Sequence, residues 1–255
     1  MSGRVASSAV TLALLTACSS AGSLHEVAIE TPLQPKLDVS SFSRILIAGF
    51  IAGGSDEVDA NRETARLLRS QLRNRSDLRV VEADVMALAD MALRKEVGEG
   101  FDDAVPLAEP NTITEEQELE EYERVFADIG FWQELGTSYQ QPLIVTGTVL
   151  FTPHARAGFV TQEQESYDSF GRRRVVPVRA YRERTGYVLS QKFIFIDGRT
   201  GATLYTESHR EEILYEAEQN TPALSSYFEL MDRLIPTFLG ALSTETIRGT
   251  RILLR

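Results

Sequence analysis

Apolar positions along the chain change period several times, and each change marks an element. Arg44-Ile-Leu-Ile-Ala-Gly-Phe-Ile51 is a continuous apolar run bounded by polar residues. A run this short reads as a strand buried on both faces. Gly53-Gly54 then supply a turn, and Ser55 or Asp56 caps the helix that follows. From Ala60 to Asn74, Ala65, Leu68 and Leu72 recur at spacings of three and four, with arginines between them. That is the pattern of an amphipathic helix. Leu78 to Ala83 reads as a second strand, and Asp84 caps a short helix to about Lys95. A strand–helix–strand opening starts an α/β domain.

Residues 96–118 break the pattern, with Gly98, Gly100, Pro106 and Pro110 punctuating an acidic stretch. Thr114-Glu-Glu-Gln117 fits a capping box. A helix over Glu115–Leu135 then carries Leu119, Tyr122, Phe126, Ile129 and Trp132 on one stripe. Leu143 to Phe151 is a second strong strand, and Tyr187 to Ile196 is strand-like. Asp197-Gly-Arg-Thr-Gly201 turns the chain and Ala202 to Ser208 returns, which makes a hairpin. Gly158 to Gly186 is polar, bears tyrosines and turns near Ser169-Phe170-Gly171, so it reads as a long exposed hairpin or loop. Leu224–Leu242 is a last helix, expected to bend at Pro236, and Arg251–Leu254 is a final strand or a tail. The chain shows no internal repeat.

The N-terminus has a different logic. Arg4 gives a short basic start, and Val10 to Leu15 is apolar but too short to span a bilayer. Leu15-Thr-Ala-Cys18 follows, with Ser19 next. This resembles the lipobox of bacterial lipoproteins, in which the cysteine is acylated and becomes the mature N-terminus. The resemblance makes residues 1–17 a lipoprotein signal peptide and Cys18 the lipidation site, with thioether-linked diacylglycerol and further acyl chains such as palmitate. Ser19 resembles an outer-membrane sorting signal, which places the anchor in the outer membrane facing the periplasm, the inner membrane being the alternative. Residues 18–40, small, polar and then proline-containing, read as an extended tether, leaving residues 41–255 as the domain.

Composition narrows the function classes. Of 255 residues, 43% are hydrophobic and 25% charged, ordinary for a globular chain. One cysteine rules out a thiolate cluster and three histidines leave little room for a histidine-built metal site, so neither metal nor cofactor is expected. A net charge of −11 argues against nucleic-acid binding.

The order of parts resembles envelope lipoproteins that share a small α/β domain. Examples are the curli secretion lipoprotein CsgG, the penicillin-binding-protein activator LpoB and the N-terminal domain of TolB. The features that carry the resemblance are Cys18, Ile45–Phe50, Ala65–Leu68, Val80-Val81, Leu143–Val149 and Asp197–Gly201. It implies a single three-layer-like α/β (α+β) domain, a mixed β-sheet flanked by helices, with a protruding hairpin. For function it implies a non-enzymatic envelope role, either partner binding, synthase activation or secretion. The curli channel builds a membrane barrel from hairpins, whose strands alternate apolar and polar residues. Here Phe159, Thr161, Glu163, Glu165 and Tyr167 share one face and Val160, Gln162, Gln164, Ser166 and Asp168 the other. Neither is apolar throughout, which argues against a transmembrane pore.

Other candidate chemistry reads more plainly. Gly49 and Gly53-Gly54 lack the Walker lysine and the G-x-G-x-x-G spacing, so a βα turn accounts for them. His25, His154 and His209 have no ligand spacing, and no G-x-S-x-G elbow supplies a nucleophile. Glu115–Glu123 lacks a calcium-loop pattern and reads as a solvated helix face. Arg172, Arg173 and Arg174, with Arg179, Arg182 and Arg184, form a basic patch. Tyr167, Phe170 and Tyr181 beside it mark a partner-binding surface, because aromatics and arginine concentrate in interface hot spots. No catalytic constellation emerges. The expectation is a lipid-anchored periplasmic binding or assembly protein engaging an envelope partner. A self-assembling homo-oligomer is the alternative, and an envelope enzyme with paired carboxylates is a third class.

Overall fold

A computed structural model describes residues 24–75, 78–92, 113–216, 219, 221–243 and 245–254. Cys18 and the signal segment lie outside them, as do residues 93–112. The chain forms two compact units. In one, β1 (Leu24–Leu33) pairs with the last strand, β8 (Glu245–Leu254), in a two-stranded sheet. The extended reading of residues 24–33 thus meets a paired strand, and β8 is longer than the four residues expected at the C-terminus.

The larger unit runs from Gln34 to Glu245. Residues 34–40, expected in the tether, pack on this unit: Leu37 is buried, and its N–H donates to the Ala241 carbonyl at 3.0 Å. In chain order the unit contains β2 (Arg44–Ile47), β3 (Ile51–Gly54), α1 (Ala60–Arg75) and β4 (Arg79–Val80). A turn of helix covers 88–92. Then come α2 (Glu116–Tyr122), a 3-10 turn (Glu123–Ala127), α3 (Ile129–Ser138), β5 (Leu143–Tyr167), β6 (Arg173–Asp197), β7 (Thr203–Glu216) and α4 (Ala223–Leu242). The sheet order is β4-β2-β5-β6-β7, with β3 also paired to β5. Strands β2, β3 and β4 pair in parallel, whereas β5, β6 and β7 pair antiparallel.

The sheet is buried on both faces, as its apolar runs require. On one face Val145, Phe151, Phe193 and Phe195 meet Leu68 and Leu72 of α1 and Tyr227, Leu230, Leu234 and Phe238 of α4. On the other, Leu46, Ile144, Leu150 and Ile194 meet Leu119, Tyr122, Phe126 and Trp132. The fold is a three-layer α/β arrangement around a mixed sheet. Burying each large apolar side chain contributes roughly 1.5–3 kcal/mol, so α4 is a major stabilising element.

Several boundaries differ from the sequence expectation. The run 44–51 is two strands, because Ile47 pairs with Val145 but Ile51 with Thr148. Four steps on one strand match three on the other, so the chain bulges at Ala48–Phe50. Gly49 takes φ +142° there, and a Cβ would meet the Met86 carbonyl oxygen at 2.6 Å. Gly53 and Gly54 belong to β3 and do not form the turn. Gly54 has φ +98° and lies against the Phe151 carbonyl, where no side chain fits. The cap of α1 is Asp59, whose Oδ1 accepts from the Arg62 N–H at 3.1 Å, and neither Ser55 nor Asp56 fills that place. Strand β4 is only two residues long, and 81–87 is irregular.

The expected helix over 115–135 is interrupted. The capping box shifts by one residue: Glu118 Oε2 accepts from the N–H of Thr114 at 2.7 Å and of Glu115 at 3.2 Å. Asp128 opens a second helix by accepting from the Phe131 N–H at 3.1 Å. The break rotates Ile129 out of the stripe, and it stands exposed while Leu119, Tyr122, Phe126 and Trp132 are buried. Helix α4 runs through Pro236.

Candidate functional site

Strands β5 and β6 pair without interruption from Leu143–Asp197 to Tyr167–Arg173. The first nine residues of β5 are buried; beyond Phe151 exposure dominates. Strand β7 covers β6 only as far as the Arg184–Glu216 pair. From there to the tip, among the described residues, no strand flanks either edge of the ribbon. At about 3.3 Å per residue this free arm is roughly 35 Å long. It takes in most of the region 158–186, all but Arg184–Gly186, which pair with β7, and it continues the two central strands of the domain. Its base is therefore fixed by the core.

A five-residue loop closes the tip. Asp168 Oδ1 accepts from the N–H groups of Phe170 at 2.9 Å and Arg172 at 3.0 Å, while Oδ2 takes the Arg172 Nε at 2.9 Å. These bonds, the Arg172 N–H first among them, hold the Asp168 carboxyl below its ordinary value. Phe170 is 81% exposed, and the Arg172 guanidinium lies 5.4 Å from its ring centre.

Alternation along the strands sorts the remaining residues. The odd-numbered face carries Phe159, Tyr167 and Tyr181, all more than half exposed. Phe159 meets Tyr181 edge-on at 5.4 Å, and Arg179 sits 5.3 Å from the Phe159 ring centre. Arg173 pairs with Glu165 at 2.7 Å on this face. The even-numbered face carries Val160, Val176, Val178 and Ala180 with Gln162 and Gln164, flanked by Arg156, Arg174, Arg182 and Arg184. The two arm strands place no acid on this face between residues 156 and 184. Among the described residues, acids reach its base from β7: Glu216 pairs with Arg182 at 3.2 Å, and Glu212 lies 3.7 Å from Arg156 and 3.6 Å from His154.

The basic patch of the sequence is thus divided. Arg172 belongs to the tip, Arg173 and Arg179 to one face, and Arg174, Arg182 and Arg184 to the other. Three consecutive residues entering a strand cannot share one surface. The structure does bring Tyr181 together with Phe159, which sequence reasoning did not select, and it exposes Val175, Val176 and Val178. The signal for these was present as apolar residues spread over both faces of a polar strand. Neither face of the arm is apolar along its length.

The other sequence candidates resolve into structural roles. Glu123, in the acidic run, accepts from Lys192 Nζ at 2.7 and 2.8 Å. His209 lies 3.6 Å from Glu207 beside Phe193. Residues 52–56 and 58–60, including Gly53-Gly54, line a concavity of about 250 Å³. Asp56 and Asp59 also line it, and both disfavour an anion there. Among the described residues no group of three or more His, Cys, Asp and Glu is placed to hold a metal ion. No described helix is long and apolar enough to cross a membrane.

No known protein family and no curated protein matches the chain. Among solved structures, the crystal structure of lipoprotein GNA1162 from Neisseria meningitidis aligns over 77% of this chain and 97% of its own, at 12% identity and a TM-score of 0.33. A TM-score at that level supports no argument about this chain.

Proposed function

We propose that the protein is a lipid-anchored, non-enzymatic binding or assembly protein of the bacterial cell envelope, with the β5–β6 arm as its contact surface. The observation that carries the reading is the arm itself. An isolated two-stranded ribbon is marginally stable in water. This one exposes Phe159, Tyr167, Phe170, Val175, Val176, Val178 and Tyr181, an apolar load a solvated loop does not need. Anchoring through Cys18 rests on the lipobox-like Leu15–Cys18, and outer-membrane placement on Ser19. Several acyl chains, at about 0.8 kcal/mol per buried methylene, hold a protein on a membrane stably.

The experiment is a pull-down from crosslinked envelopes, comparing the full chain with a Phe159→Ser/Tyr181→Ser variant that keeps Cys18. Loss of one specific envelope protein in the variant supports the arm as the contact surface. Equal recovery by both baits rules that surface out. A second reading, self-assembly through the arm, is favoured by its two unpaired edges, which are templates for further strands. Light scattering on the purified protein separates the two: recovery of only the chain itself, with a concentration-independent oligomer, favours assembly.

A further inference from the structure

The arm leaves unexplained a stripe of arginines on α1. Arg62, Arg66, Arg69 and Arg73 follow one another at spacings of four, three and four. At 100° per residue they fall within a stripe about 60° wide. Like charges at these spacings destabilise a helix. The only acid within α1 is Glu63, whose carboxylate is 3.8 Å from Arg66. In a chain of net charge −11, four cations on one helix face need a reason.

These arginines line two adjoining hollows. One, of about 480 Å³, is bounded by Asp59, Asn61, Arg62 and Arg69 on one side and by Ala83, Asp84, Val85 and Ala87 on the other. The other, of about 220 Å³, is bounded by all four arginines with Glu82 and Val85. Arg62, Arg69 and Val85 are common to both, so they make one groove between α1 and the segment 82–87. The floor is the carboxyl end of β2: Arg69 Nη2 donates to the Ile47 carbonyl at 2.8 Å, and the Met86 N–H to the Ala48 carbonyl at 2.8 Å. In open α/β sheets, ligands bind in crevices at the carboxyl ends of parallel strands.

The charge along the groove is unevenly matched. Arg73 is paired with Glu82. Arg69 is half-buried, its Nε has no hydrogen-bond partner, and burial disfavours its charge. Arg62 has no ion pair among the described residues, and Arg66 has only the long contact to Glu63. Asp59 and Asp84 are the acids of the wider hollow; Asp59 is at its Asn61–Arg62 end, with Oδ1 turned to the Arg62 N–H, and Asp84 is on the 82–87 wall.

We infer that this groove binds a small anionic ligand. Its phosphate or carboxylate group meets Arg62, Arg66 and Arg69, and its hydroxyl groups face Asp84. Arginine forks suit planar or tetrahedral oxyanions, and a carboxylate at the far wall selects ligands that present donors there. A phosphorylated sugar is the simplest member of the class. The site is independent of the arm.

The test is calorimetric titration of the full-length protein in detergent, at fixed ionic strength, with glucose 6-phosphate, citrate, inorganic phosphate and glucose. Glucose 6-phosphate is expected to bind saturably and more tightly than inorganic phosphate, and glucose not at all. Citrate binding as tightly as glucose 6-phosphate would assign the site to carboxylates. An Arg62→Ser/Arg66→Ser variant changes two solvent-facing side chains and is expected to keep its thermal midpoint. It should bind at least about tenfold more weakly, the equivalent of one lost charge-assisted hydrogen bond. Arg69→Lys keeps the charge but loses the fork, and should also weaken binding. The inference is overturned if no anion binds saturably up to about 10 mM. It is equally overturned if the double variant binds as tightly as the wild type.

Discussion

At the scale of single residues, two of the determinants that hold the domain together are buried polar groups with several partners. Asp197 ends β6, is buried, and accepts from the Arg199 N–H at 2.8 Å, its Nε at 3.0 Å and its Nη2 at 2.9 Å. The Arg199 side chain holds the Asp197 carboxyl below its ordinary value of 3.8. A depressed carboxyl contributes stability that is complete above the unfolded value and lost as pH falls through the folded one. Asp197→Ala should therefore cost about 1–3 kcal/mol in urea unfolding at neutral pH. The gap between the two proteins should close as pH drops below the ordinary carboxyl range; a gap that widens on acidification contradicts the assignment. Tyr227 makes a second such point. Its hydroxyl donates to the Ala60 carbonyl at 3.1 Å and contacts the Thr64 hydroxyl, and burial pushes the phenol pKa up. Tyr227→Phe should cost about 1 kcal/mol, read from the same unfolding curves.

At the scale of elements, the apolar period located the buried parts well. Ala65, Leu68 and Leu72 are fully buried in α1, as their spacing predicted. Leu143 to Phe151 is the buried start of β5. Leu68→Ala should cost about 2–5 kcal/mol, the range for a fully buried leucine in a core. What the period missed had local causes. An extra residue between β2 and β3 leaves no mark in a uniformly apolar run. The Asp128 cap breaks a helical stripe that Ile129 otherwise continues. The arm was legible as exposed and turning near residue 170, and alternation sorted residues 159–167 into two faces, but which residues of the returning strand join each face was not. Which of Arg172, Arg173 and Arg174 enter the strand depends on where the tip loop ends, and that is set by the local Asp168 bonds to Phe170 and Arg172. Replacing residues 158–182 by a short turn joining Ala157 to Glu183, a cross-strand pair, should leave the thermal midpoint within a few degrees. A collapse of stability would mean that the arm serves folding and is not a contact element.

At the scale of the molecule, the larger unit has a closed core and carries a long ribbon whose apolar side chains stand exposed among the described residues. That imbalance between a finished core and an unfinished appendage is the basis for a binding role. The account needs the domain near a membrane, and Cys18→Ser should move the protein from the membrane fraction to the soluble periplasmic fraction on cell fractionation. The measurement that tests the central claim most directly is site-specific photo-crosslinking in intact cells. The photoreactive residue is placed in turn at Tyr181 on the arm and at Leu224 on α4, an exposed apolar position outside the arm. The account predicts a discrete crosslinked species from Tyr181, either to one envelope protein or to a second copy, and none from Leu224. The absence of any adduct from Tyr181, with a clean adduct from Leu224, would contradict it.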